Sequence, residues 1–157
     1  MSYALQPLLR IRVTREDRAR GELTAARRAV AEAEEALAAR QRELAEYEET
    51  KEERRDRIYD TIIGRKVTRD QIDLANEGVA RIDEEGVLKA DNVKRAEAER
   101  QTRQAAADTA RSVFAQAMKN RMKIDEHRSV WQAEDARAAE AREESELEDF
   151  IVRKEEI

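Results

Sequence analysis

Apolar residues return every seventh position along the first third of the chain: Leu23, Val30, Leu37 and Leu44, with Ala26, Ala33 and Tyr47 three residues after members of that set and Arg40 breaking it. Glu and Arg fill the intervening positions. A repeat of this kind puts a narrow apolar stripe along one side of a helix, the seam of a coiled coil. Pro7, the only proline, suits a first helical turn because the N–H it lacks would have no intrahelical partner there. No proline, and no glycine after Gly21, interrupts the run until the sixties. The pattern predicts a first helix over about 5–60.

The pattern then changes. Ile58, Tyr59, Ile62 and Ile63 bring large apolar side chains into a chain otherwise built from Ala and charge, and Gly64 follows. A residue without Cβ suits the left-handed position that closes a helix. Thr68 and Gln71 have capping-box spacing, in which the Thr hydroxyl takes the Gln71 N–H and the Gln side chain reaches back; Val67 and Ile72 are placed as a hydrophobic staple. From Ile72 the seven-residue spacing resumes through Val79, Val93, Ala107 and Phe114. Ala75, Ile82, Ala96, Ala110, Ala117, Ile124 and Trp131 follow three residues on, with Gly86, Lys89 and Arg100 as breaks. The expected bend covers about 61–70, or reaches 87 if Gly78 and Gly86 end a short first piece, and the second helix runs to about 150. A short connection forces the helices antiparallel. The expected fold is therefore all-α, a long two-helix antiparallel coiled-coil hairpin occupying residues 1–157 as a single domain.

Composition supports this and removes rivals. Of the 157 residues 43% are charged, 40% hydrophobic and only 4% aromatic, enough for a seam and too little for a round core. Disorder also tolerates high charge, but one Pro and four Gly argue against it. With no Cys there is neither a disulfide framework nor a thiolate metal site. Apolar runs fall far short of the roughly 20 residues that cross a bilayer, and the N-terminus has no signal-peptide apolar region, so a cytoplasmic protein without membrane insertion is expected. The Arg-rich, acid-free first fifteen residues have something of a transit peptide, which Glu16, Asp17 and the scarcity of Ser oppose. Charge is polarised: residues 1–28 hold seven Arg against three acidic residues, a balance of +4, and residues 132–157 hold four basic against ten acidic, a balance of −6. A hairpin sets these ends side by side, which helps to fix register.

No candidate chemistry survives inspection. His127, the only histidine, has Ile124 three residues before it, so the Glu-x-x-His spacing of helical carboxylate metal sites is absent and a flank histidine is the better reading. Gly64-Arg65-Lys66 lacks the glycine frame of a phosphate loop and reads as a helix stop. The acid pairs Glu34-Glu35, Glu48-Glu49 and Glu143-Glu144 have no pocket to raise a pKa and read as solvated faces. Arg54-Arg55 is interleaved with Glu52, Glu53 and Asp56 in a chain of net charge −5, which excludes nucleic acid as the expected partner. Met118 and Met122 read as core near Phe114 rather than as a binding stripe. Ile58, Tyr59, Ile62, Ile63 and Val67 form either a mini-core of the bend or a docking tip. An enzyme is not expected, nor a cofactor or metal.

The opening Tyr3-x-Leu5-x-Pro7-Leu8-Leu9-Arg10-x-Arg12-x-x-Arg15-Glu16-Asp17-x-Ala19 resembles that of the YscO/FliJ-type stalk proteins of type III secretion systems, the YscO branch above all. The late His127-x-x-x-Trp131 step before a Glu-rich tail is similar to that branch too. The resemblance implies a central stalk that enters a hexameric secretion ATPase, promotes its assembly and hydrolysis, and faces the export gate with its other end at the cytoplasmic face of the apparatus. It also links family members to recycling of secretion chaperones. On that analogy Arg10, Arg12, Arg15 and Arg18 are the expected ATPase contact, and Tyr59, Ile62 and Ile63 the expected export-gate or partner contact. The rival function is a chaperone-binding or adaptor coiled coil with no ATPase partner. A membrane-surface helix is opposed by the net charge and by the lack of a broad Trp/Phe/Leu face.

Overall fold

A computed structural model describes residues 2–155. Two helices account for nearly all of them: α1, Gln6–Tyr59, and α2, Arg69–Glu155, with no strand among the described residues. The chain divides into two units, one formed by Thr24–Asp108 and the other by Met1–Leu23 with Thr109–Ile157. In each, a stretch of α1 packs against a stretch of α2, an all-α antiparallel helical hairpin.

Inside Thr24–Asp108 the seam is built from Ala33, Leu37 and Tyr47 of α1 and Ala75, Val79, Ile82 and Ala107 of α2, all buried. Val30, Leu44, Val93 and Ala96 are half-buried along the same line. Arg40, the break in the α1 repeat, is exposed, and its guanidinium donates to Glu43 at 3.1 Å. Arg54 and Arg55 reach across to α2, Arg54 donating to Glu85 at 2.7 Å and Arg55 lying 3.9 Å from Asp83. The basic cluster is thus engaged with carboxylates of its own unit.

The helix stop forms as the residues dictate. The N–H groups of Ile62 and Ile63 both donate to the Tyr59 carbonyl, and Gly64 takes a φ of 73°, a conformation that costs any other L-residue about 1–2 kcal/mol. The capping box is present: the Thr68 N–H donates to Gln71 Oε1 at 2.8 Å and the Gln71 N–H to Thr68 Oγ1 at 3.3 Å. Two expectations are corrected. The bend does not extend to 87, because α2 winds without a break from Arg69 through Gly78 and Gly86. Both glycines face α1 and take its side chains: a Cβ on Gly78 would meet Ile58 at 3.2 Å, and one on Gly86 would meet the Tyr47 hydroxyl at 2.4 Å. Close packing, rather than a helix end, explains them. Ile72, read as the first seam position of α2, is instead exposed, since α1 has already ended at Tyr59 and the buried seam begins at Ala75.

The Arg54 hydrogen bond is the chief reason that the Glu85 carboxyl lies below its ordinary pKa, with the charges of Arg54 and Lys89 acting in the same direction. A carboxyl with a depressed folded-state pKa contributes stability that is full above its unfolded value and is lost as pH falls through the folded one. In an NMR-monitored acid titration Glu85 should therefore titrate at lower pH in the wild type than in Arg54→Ala; identical midpoints would remove the pair from the account of this unit.

Candidate functional site

In the unit formed by Met1–Leu23 with Thr109–Ile157 the seam carries charge. Counting back by sevens from Leu23 reaches Glu16 and then Leu9, and Leu9, Glu16, Ala19 and Leu23 are all buried. Glu16 is only 4% exposed and is the one buried charged residue among those described. Its carboxylate accepts from Arg121 Nε of α2 and from Arg20 at 3.1 Å, and Arg121 also donates to Asp125 at 2.7 Å. A buried ion pair inside an apolar seam is a register device, because sliding the helices strands both charges.

At the start of the chain Tyr3 is buried against α2. Its hydroxyl is hydrogen-bonded to His127 Nδ1 at 2.8 Å, and its ring centroid lies 5.3 Å from that of Trp131 at a 46° tilt. The two stretches singled out in the sequence, the opening Tyr and the His-x-x-x-Trp step, are one cluster, and i, i+4 spacing on α2 is what lets His127 and Trp131 share a partner. His127 is exposed, a flank residue that buttresses Tyr3.

The four arginines do not form one stripe. Arg10, Arg15 and Arg18 are exposed, whereas Arg12 is half-buried with its Nε enclosed and lacking a hydrogen-bond partner. Helical geometry turns Arg10 about 200° from Arg12. Arg12, Arg15 and Arg18 instead line a single groove, floored by Ala19 of α1 and by Val113 and Ala117 of α2. Gln116 and Asn120 stand on its α2 side, and Glu22 is its single acidic lining residue. Among the described residues none of Arg10, Arg12, Arg15 and Arg18 is in an ion pair. The groove combines uncompensated positive charge with an apolar floor of small residues, a surface shaped for an acidic, amphipathic partner segment. The buried Glu16 and the seam position of Arg12 were within reach of the sequence, by extending the heptad two repeats upstream of Leu23.

In the bend Ile63 is 68% exposed, while Tyr59 and Ile62 are half-buried. Leu74 of α2, 67% exposed, lines a shallow depression with Ile58, Thr61 and Ile62. The apolar surface there accordingly includes α2 residues that the composition of the bend does not announce. Met118 is half-buried and Met122 exposed, so only the first serves the core.

Among the described residues no three His, Cys, Asp or Glu are grouped to hold a metal ion, and no helix is long and apolar enough to cross a membrane. A family model, Type III secretion protein YscO, matches residues 5–153. The chain belongs to the YscO family of type III secretion proteins. No curated protein and no solved structure matches it. The match takes in α1, the bend and α2 as far as residue 153, while Tyr3 lies just ahead of it.

Proposed function

We propose that this YscO-family protein is the central stalk of its type III secretion system, contacting the hexameric secretion ATPase, promoting its assembly and hydrolysis, and linking it to the export gate. The observation that carries the reading is the groove in which Arg12, Arg15 and Arg18, outside any ion pair among the described residues, flank an apolar floor in a chain of this family. Arg10 lies outside the groove and adds charge nearby. A stalk needs no catalytic group and no cofactor. A single asymmetric chain in a ring of six subunits contacts them unequally, so it favours different conformations around the ring, and hydrolysis changes which contacts are favoured. The exposed apolar surface of the bend, Ile63 with Ile62 and Tyr59, is assigned to the export gate, with secretion chaperones as further partners at the cytoplasmic face of the apparatus.

Photo-cross-linkers placed at exposed positions test the assignment without disturbing the seam. One at Val13 should capture the ATPase in cells with an assembled apparatus, and one at Ile63 should capture the export gate. Capture of chaperones alone from both positions would overturn the stalk in favour of an adaptor.

A further inference from the structure

Among the described residues, no part of α1 covers the last stretch of α2. Tyr3, just ahead of α1, packs on Trp131, and every described side chain from 136 through 154 is exposed. This stretch is nevertheless amphipathic. At 100° per residue Leu147, Phe150 and Ile151 fall on one side of the helix, with Glu143 and Glu144 on the same side and Glu146 and Glu148 at its flanks. Leu147 and Phe150 are each 62% exposed, and Lys154 Nζ, 5.7 Å from the Phe150 ring, shields only part of it. Five acidic residues lie within 143–151. Glu156, part of the acidic end counted in the sequence, lies outside the described residues.

This surface is the chemical complement of the arginine groove in the same unit: large apolar side chains edged by carboxylates, against small apolar residues edged by guanidinium groups. A chain cannot satisfy itself, because Leu147 follows Ala117 by thirty residues on one unbroken helix, about 45 Å away. We propose that the 143–151 segment of a second copy of this chain docks in the groove formed by Arg12, Arg15, Arg18, Val113 and Ala117. The contact is reciprocal. If two α2 helices run antiparallel about Gln132, midway between Ala117 and Leu147, each tail reaches the other's groove, and the pair closes as a twofold dimer rather than growing into a filament. Phe150 and Leu147 fill the space that Ala19 and Ala117 leave, and Glu146 and Glu148 meet Arg15 and Arg18. The proposal rests on groove and tail alone and stands or falls independently of the ATPase reading. Where both hold, the dimer hides the surface assigned to the ATPase, and the free stalk is self-occluded until the ring competes for it.

Sedimentation velocity of the full chain over a concentration series, at low and high salt, tests this. The wild type should pass from monomer to dimer with rising concentration and revert at high salt. Arg15→Glu/Arg18→Glu and Glu146→Arg/Glu148→Arg should each weaken self-association by about tenfold or more. All four residues are exposed, so helix content by circular dichroism should be unchanged in both variants. Mixing the two variants should restore a one-to-one dimer, since both contacts are then complementary again, and Leu147→Ala/Phe150→Ala should abolish it. A wild type that stays monomeric throughout overturns the proposal and leaves the groove to a foreign partner. So does a dimer indifferent to both charge reversals, or a mixture that fails to associate.

Discussion

Gly86→Ala should destabilise this protein, although replacing a mid-helix glycine by alanine ordinarily stabilises a helix by about 1 kcal/mol. The reason is Tyr47. Its hydroxyl donates to the Ile82 carbonyl at 2.8 Å, inside the notch left by the missing Cβ, and an added Cβ would stand 2.4 Å from that oxygen and 2.6 Å from two ring carbons. Tyr47 is buried, so the ring has nowhere to retreat without opening the seam. Overpacking costs about 1–3 kcal/mol and the lost hydrogen bond about 1, which exceeds the gain in propensity and leaves a net loss of about 1–3 kcal/mol. In a Tyr47→Ala background the notch is empty and the same Gly86→Ala change should stabilise instead. The sign reversal is read by urea unfolding followed by circular dichroism. Stabilisation of both backgrounds would show that Tyr47 and Gly86 are not coupled. Gly78 is the internal control: the atom its Cβ would meet, at 3.2 Å, is the flexible end of Ile58, and Gly78→Ala should not destabilise.

Glu16→Ala is the second large effect. Removing the carboxylate leaves Arg121 turned into the seam without its strongest partner. Loss of one member of a fully buried pair costs about 3–5 kcal/mol. Arg121 is 28% exposed and keeps Asp125 at 2.7 Å, so the expected loss is smaller, about 2–3 kcal/mol. Replacing both partners, as Glu16→Leu/Arg121→Met, should recover it, because Leu at that position completes the apolar run from Leu9 to Leu23. A loss below about 0.5 kcal/mol for Glu16→Ala would mean that the pair behaves as an exposed one.

The α1 seam was legible in the sequence because heptad spacing is a property of one helix at a time. Gly64 and the Thr68–Gln71 box were legible for the same reason: a left-handed turn and a reciprocal cap involve residues three or four apart. What crosses between helices was not. Nothing local says that Gly86 is the socket for Tyr47, thirty-nine residues earlier, so it read as a break. Nor does Glu16 announce that Arg121 stands opposite; a carboxylate on a seam looks like an interruption until its partner is placed. Arg10, Arg12, Arg15 and Arg18 were expected on the family analogy to share one contact, while helical rotation puts Arg10 on another face from Arg12. The acidic end was expected beside the basic start of the chain, but Tyr3 meets α2 at His127 and Trp131 and the side chains from 136 through 154 are exposed, because α2 is much the longer helix. The motifs that resembled the YscO family proved to be contacts: Tyr3 with His127 and Trp131, and Glu16 with Arg121.

In the role proposed above, this chain acts through the secretion ATPase. The most direct measurement is ATP hydrolysis by the hexameric secretion ATPase of the same system, titrated with the wild-type protein and with Arg12→Glu/Arg15→Glu/Arg18→Glu. The account predicts stimulation by the wild type, largest where the ATPase is dilute and assembly limits activity, and little or none by the variant at equal helix content. Hydrolysis unchanged by the wild type at every ATPase concentration would contradict it.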